Sequence, residues 1–517
     1  MRRFICFILI MFPVGCLSGC MTGPDYQRPV VNTPQSFRFA AKEAQDTANT
    51  TWWRQFQDPV LDRLITEALA NNKNVQIAAA NIEQAAGVLM QARSPLFPQV
   101  NYSANATRER GSELNAVPVS PSIPNPQTSL QILAGANWEI DLWGRIRRLT
   151  EAARANLLAS EEARRGIILS LVASVASSYM QLRGLDEQVQ VAKDSRAIYG
   201  ESLRIFQLQF KHGQVPQLNV AQAQSQYETA AAAIPPLESQ IAQTENAISI
   251  LLGRNPASIP RGKSIFAMSL PDIPAGLPSE LLTRRPDIRQ SEQTLIAANA
   301  QIGAARAQYF PTISLTAGVG AASADLSNLF QGPARIWSYA GSLTGPIFTA
   351  GAIAGQVQQA EASQKAALLS YEAAIQNAFA DVDNALIARQ KTEEQLAAQA
   401  RLVAALKEYS YFARLQYDAG YSAYITVLNA EQQLFPARLN YAQTRASVLA
   451  SFVKLYQATG GGWVMEAEKM TEKPSAAASV SGEKMAAVEK PGSKEKLPDK
   501  GSVAAGEGEL KEKADER

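Results

Sequence analysis

Apolar residues recur at helical spacing through two proline-free stretches, 145–211 and 352–419. In the first, Ile167, Ile168, Leu171, Val172, Val175, Tyr179 and Leu182 lie on one stripe. At 1.5 Å per residue such a helix is ~100 Å long, several times the diameter of a domain. Both stretches are amphipathic, rich in Gln, Ala and paired charges, and read as coiled-coil-like helices. They end in Lys211-His212-Gly213 and Asp418-Ala419-Gly420, with glycine suited to a left-handed cap. Returning helices follow at 216–252 and 424–459. They are too short to run the full way back, so each must meet another helix end to end. Helices at 74–92 and 287–308 can fill that gap, and Phe97-Pro98 and Phe310-Pro311 close them.

Between these helices the period changes to two. Leu130, Ile132, Ala134, Ala136, Trp138 and Ile140 alternate with polar or small residues over 129–140, Leu133 being the exception. Ile313, Leu315, Ala317 and Val319 do the same over 312–321. Further strands are expected at 99–107 and 337–347. Pro118, Pro121, Pro124 and Pro126 make 108–128 a loop. Such segments fit transmembrane barrel strands and soluble sandwiches equally well.

The pattern is written twice. Phe97-Pro98 and Ala92-Arg93 recur as Phe310-Pro311 and Ala305-Arg306, 213 positions on. Gly144, Gly213, Val220 and Gly253 recur as Gly351, Gly420, Val427 and Gly460, 207 positions on. A constant offset over such a span indicates duplication of one helix–strand–strand–long helix–helix unit. The reading divides the chain into a leader (1–19), a linker (20–51), a first repeat (52–256), an inter-repeat linker (257–276), a second repeat (277–463) and a disordered charged tail (464–517).

At the N-terminus, Arg2 and Arg3 precede an apolar run from Phe4 to Leu17 that is short for a spanning helix. Leu17-Ser18-Gly19-Cys20 resembles a bacterial lipobox. Cys20 is then the lipidation site, carrying N-acyl and S-diacylglycerol groups, while Cys6 and Cys16 leave with the leader. Met21 at the next position suggests outer-membrane sorting. No later run is apolar enough for a spanning helix.

Composition narrows the chemistry. Forty-nine Lys and Arg against 47 Asp and Glu leave +2, which argues against a nucleic-acid binder. One His and three Cys leave little for zinc sites or disulfide frameworks. His212 reads as an exposed residue at a helix C-terminus, where the dipole favours it. No phosphate loop or nucleophile motif is present, so no enzyme, metal site or cofactor is expected.

Four strands cannot close a barrel, and an open edge in lipid leaves backbone groups unsatisfied. Two chains give eight strands and a filled interior; three give twelve and a wider bore. The alternative is a lipid-anchored helical rod, a structural or adhesive protein, in which paired strands have no purpose.

Trp52-Trp53 with Phe56, Asp58-Pro59, Leu61, Leu64-Ile65 and Ala68-Leu69 resemble signatures of the outer-membrane factor family of tripartite efflux pumps. So do Gly23-Pro24-Asp25-Tyr26, Leu277-Pro278 with Leu281-Leu282, Arg284-Arg285-Pro286-Asp287 and Tyr309-Phe310-Pro311. The chain resembles TolC-like channels, in particular the lipoprotein branch of OprM/NodT type. The resemblance implies a homotrimer with a twelve-stranded transmembrane β-barrel, four strands per chain, continuing into a periplasmic α-helical barrel. It implies a periplasmic adaptor (membrane fusion) protein and an inner-membrane transporter, RND-type, as partners. The implied function is an outer-membrane channel conducting small molecules, with protein secretion and metal efflux as alternatives. The implied gate lies at the periplasmic turns, Gly213 and Gly420. The family's usual aspartate is replaced by Asn429, with Gln222 and Asn219 at the first copy's positions. The closed tip is expected to involve Asp418, Tyr421, Tyr424, Thr426 and Asn429.

Overall fold

The computed structural model describes residues 21–31, 33–34, 36–39, 51–112, 114, 124–270 and 278–461. The expected leader, Cys20 and the tail 464–517 lie outside these residues. Two helices, α1 (Pro59–Asn71) and α2 (Lys73–Arg93), precede strands β1 (Gln99–Glu109) and β2 (Gln127–Ile140). The long helix α3 (Arg145–Lys211) and the returning α4 (Gln217–Leu251) complete the first copy. The second copy is α5 (Pro278–Arg284), α6 (Pro286–Ala307), β3 (Thr312–Ser323), β4 (Arg335–Thr344), α7 (Ala352–Asp418) and α8 (Tyr424–Ala458). Both long helices have 67 residues and both returning helices 35. The duplicated, mainly helical fold class is therefore observed. No helix among the described residues is long and apolar enough to cross a membrane.

Three glycine pairs recur for one reason. Gly144 and Gly351, Gly213 and Gly420, and Gly253 and Gly460 all have φ between +70° and +87°, where a side chain is strained. The end-to-end meeting of helices is also present. Asn72 caps α2 through Oδ1, which accepts from Asn74 N (2.9 Å), while its Nδ2 donates to Leu251 O, the last residue of α4 (2.8 Å). In the second copy Arg285, preceding α6, donates from Nη1 to Ala458 O, the last residue of α8 (3.0 Å). A Cβ on Gly253 would fall 2.2 Å from Asn71 O, so the lower helix abuts the upper one directly.

The strands form one antiparallel sheet in the order β1-β2-β3-β4. Tyr102, Ala134, Val319 and Trp337 align across it, as do Val100, Ala136, Ala317 and Tyr339. That face is apolar along its middle and turns polar at one end, with Arg108, Thr128, Ser323 and Arg335. The other carries Asn101, Ser103, Asn105, Gln131, Asn137, Ser314, Thr316 and Ser338. Leu133 is again an exception, as is Ile336, aligned with it through Gly320, and the Leu133 Cδ1 lies 3.4 Å from where Gly318 would carry a Cβ. β4 ends at Thr344, earlier than the expected 347, since Gly345 closes on Pro311 and Pro346 lacks a ladder donor.

The main core packs midway along the helices. Trp52, Phe56, Leu61 and Ile65 pack with Val175 and Tyr179 of α3 and Phe452 and Val453 of α8 in one buried cluster. Trp52 stacks on Tyr456 at 4.7 Å between centroids. Asp58 is fully buried and accepts from Val60 N (2.8 Å), Tyr179 OH (2.9 Å) and Lys263 N (3.1 Å). Its proline neighbour opens α1, where the missing donor is harmless.

Candidate functional site

The two helix turns at the end of the bundle are built alike. Gly213 N donates to Phe210 O and Gln214 N to Gln209 O; Gly420 N donates to Tyr417 O and Tyr421 N to Gln416 O. Each turn thus satisfies the last carbonyls of its long helix through a left-handed glycine. His212 caps α3 and is exposed, as expected.

Behind the turns, Phe206, Tyr417 and Tyr424 form a ring cluster, with Phe206 and Tyr424 at 4.4 Å. Ala223, Val427, Leu428 and Ala430 complete this small core. Tyr424 is therefore a packing residue, and burial pushes its phenol pKa up. Tyr421 stands 87% exposed at the apex. Asp418 pairs with Arg414 of its own helix (3.4 Å). Asn429 is exposed, while Thr426, Asn219 and Gln222 are half-buried. The gate candidates thus share one end of the bundle but do not form one connected network within a chain.

The interhelical polar contacts come from residues not singled out in the sequence. Glu431 accepts from Tyr199 OH of α3 (3.1 Å) and from Ser410 Oγ of α7. Burial and the Glu431 carboxylate push the Tyr199 pKa up. Gln226 of α4 is buried and donates to Leu428 O of α8 (3.2 Å). Glu431 lies two positions beyond Asn429, and Val427, Leu428 and Ala430 before it mark a packed helix face.

The long helices differ sharply in cover. Twenty-seven residues of α3 are buried but only 11 of α7. Among the described residues, helix α3 is flanked by both α2 and α6, whereas α7 has α6 alone in that role. Leu369 and Leu402 of α7 are at least half exposed, as are Tyr411, Phe412 and Leu415 near the tip. Among the described residues, the outer edges of β1 and β4 have no partner strand.

Starting at the other end of the bundle, residues 21–31 and 36–39 lie as a strap over the helices. Thr22 N donates to Trp143 O (3.1 Å), and Tyr26 OH donates to Glu292 Oε1 (3.2 Å). Arg28 Nη2 donates to Glu292 Oε2 (2.9 Å), and Arg38 N donates to Asp383 Oδ1 (3.0 Å).

The family model for outer membrane efflux proteins matches residues 64–254 and 277–461. The chain is 35% identical over 481 residues to the cation efflux system protein CusC of Escherichia coli O6:H1, covering 89% of this chain and 99% of that one. It is 36% identical over 463 residues to the solvent efflux pump outer membrane protein SrpC of Pseudomonas putida, covering 88% and 98%. Among solved structures, the CmeC outer membrane channel of Campylobacter jejuni superposes with a TM-score of 0.82 at 25% identity, covering 88% of this chain and 98% of that one. The open-state MtrE outer membrane channel of Neisseria gonorrhoeae gives 0.77 at 33%, covering 86% and 99%. The chain belongs to the outer membrane efflux protein family.

Proposed function

We propose that this outer membrane efflux protein is one third of a tube that carries small molecules through the outer membrane. The observation that carries the reading is the flank of α7 that no upstream helix covers among the described residues. Helix α3 is covered by the upstream helix of its own copy, α2, and by that of the next copy, α6. Among the described residues helix α7 has only α6 as an upstream helix, so the next is the α2 of another chain. Such a contact is head-to-tail and closes as a ring. The same ring joins the free β1 edge of one chain to the β4 edge of the next. Three chains give twelve strands, with the apolar face towards lipid and the Ser, Thr and Asn face towards water.

In this reading Cys20 carries the lipid anchor and the helices extend into the periplasm. An inner-membrane transporter, of RND type, and a periplasmic adaptor deliver substrate to the tip. The names of the relatives refer to a cation and to solvents; we therefore assign substrate choice to the pump and a permissive path to this chain. The tip is the regulated constriction, with Asn429 in place of a carboxylate and a weaker field for cations.

Outer-membrane fractionation followed by electrophoresis with and without heating tests the assembly. A heat-sensitive band of three chains is expected; a water-soluble single chain overturns the proposal. Single-channel recording tests the tip: Asn429→Ala is expected to change conductance, and an unchanged value removes Asn429 from the constriction.

A further inference from the structure

The apolar face of the sheet is charged at one level only. In the first hairpin Arg108 of β1 lies opposite Thr128 of β2. In the second, Arg335 of β4 lies opposite Ala321 of β3. Alternation along the strands puts both arginines on the face of Tyr102, Ala134, Val319 and Trp337. Every other strand residue of that face is uncharged, and both arginines are exposed. Neither has a carboxylate partner among the described residues.

The duplication supplies a ruler. Gln99 opposite Asn137 recurs as Thr312 opposite Thr344, at the offsets of 213 and 207 that relate the two copies. By the same offsets the Arg108–Thr128 pair corresponds to the Ala321–Arg335 pair. Each hairpin thus holds one arginine at the same cross-strand position, but on opposite strands. A residue inherited through the duplication would fall on the same strand both times, so common descent does not account for the match. Three chains would carry six such hairpins, with equivalent positions at one height around the barrel.

We infer that these arginines form a ring that binds the phosphates of the glycolipid in the outer leaflet. The inference rests on the twelve-stranded barrel proposed above, which turns this face to lipid. The hairpins point away from the helices, since β1 follows α2 and β2 leads into α3; with the helices in the periplasm, Arg108 and Arg335 stand at the outer surface. Inward of that level, the face runs apolar along β2 from Leu130 to Ile140. Ten steps of 3.4 Å at a tilt near 40° span about 26 Å, the height of the apolar band of a membrane barrel. The arginines lie just beyond that band, where headgroups begin. Trp337, two residues from Arg335 on the same face, is 72% exposed and stacks on Tyr339 at 5.8 Å, as aromatic residues do at that boundary. A guanidinium meets a phosphate through two parallel bonds. Snorkelling to water needs a charge but no phosphate, and that difference sets the test.

The detergent-solubilised full-length assembly is titrated with the diphosphorylated, acylated glucosamine disaccharide of the outer leaflet, and with the same lipid stripped of its phosphates. Bound lipid is counted by native mass spectrometry. The wild type is expected to hold the phosphorylated lipid about tenfold more tightly or better, as for one charge-assisted hydrogen bond. Arg108→Gln combined with Arg335→Gln should remove that preference. Arg108→Lys combined with Arg335→Lys should keep part of it, because an ammonium lacks the fork. Equal binding of the two lipids by the wild type, or an undiminished preference in the glutamine pair, overturns the proposal. Should the glutamine pair yield no trimer, the lysine pair decides: a reduced preference supports the forked contact, and an undiminished one overturns it. The heat-sensitive trimer band, scored on the wild type before lipid is added, separates the two layers of inference: its absence refutes the barrel itself, whatever the lipid counts show.

Discussion

Charged side chains at the mid-helix belt do specific structural work. Glu245 of α4 accepts from Ile259 N (3.0 Å) and Arg261 Nη1 (2.5 Å), pinning the inter-repeat linker to the helix. Burial opposes ionisation, but the Arg261 and Ile259 bonds outweigh it and hold the carboxyl below its ordinary value of 4.5. A lowered folded pKa contributes stability that is present above the unfolded value and lost as pH falls through the folded one. Acid below about pH 4.5 should therefore loosen the linker, seen as faster amide exchange at 254–270, and Glu245→Gln should flatten that acid limb. Arg285 makes a second such joint, donating to Asp287, Asp381 and Ala458 O. Both carboxylates are about half exposed, so the loss in Arg285→Ala comes mainly from the helix-end carbonyl and the buried stem. We expect a cost of about 2 kcal/mol, read as a lower heat-dissociation midpoint.

Helix α3 shows why one substitution has two signs on one element. A Cβ on Gly184 would meet the Ala446 Cβ of α8 at 2.6 Å, whereas one on Gly166 has only Pro286 Cβ at 3.9 Å. Gly166→Ala should raise stability by up to about 1 kcal/mol through helix propensity. Gly184→Ala gains the same term and loses about 1–3 kcal/mol to overpacking, so its dissociation midpoint should fall. The long helices, the strands and the glycine turns were legible in the sequence because each follows from a local period or a required φ. Helix α1 is hard to read from sequence, although Val60, Leu61, Leu64, Ile65, Ala68 and Leu69 have helical spacing; thirteen residues between a buried Asp58 and Asn72 give little room for the period to show. The tip was legible as a place but not as a set of contacts. Asn429 stood out by its neighbours in sequence, while the Tyr199–Glu431–Ser410 link joins three helices and has no local signature. Arg148 gave no signal either, since Thr22, Gly23 and Asp25, to which it donates, lie more than 120 positions upstream.

The whole assembly depends on a sheet with two unlike faces, and two adjacent residues can separate them. Ala317 and Thr316 are neighbours on β3, placed mid-strand between Ala136 and Tyr339 in one case and Asn137 and Ala340 in the other. If three sheets close a barrel, Ala317 faces lipid and Thr316 faces the bore. A charge at Ala317 must then sit in hydrocarbon, so Ala317→Arg should cost about 2–4 kcal/mol per chain. Repeated in three subunits, that cost should abolish the heat-sensitive trimer band in outer-membrane fractions. Thr316→Arg places the same guanidinium in water, where three copies form a cationic ring. The trimer should survive, and the reversal potential in a salt gradient should move towards anion preference in a channel whose tip is open. Equal tolerance of both arginines would mean that neither face meets lipid, leaving the free sheet edges and the uncovered flank of α7 without the closed ring that accounts for them.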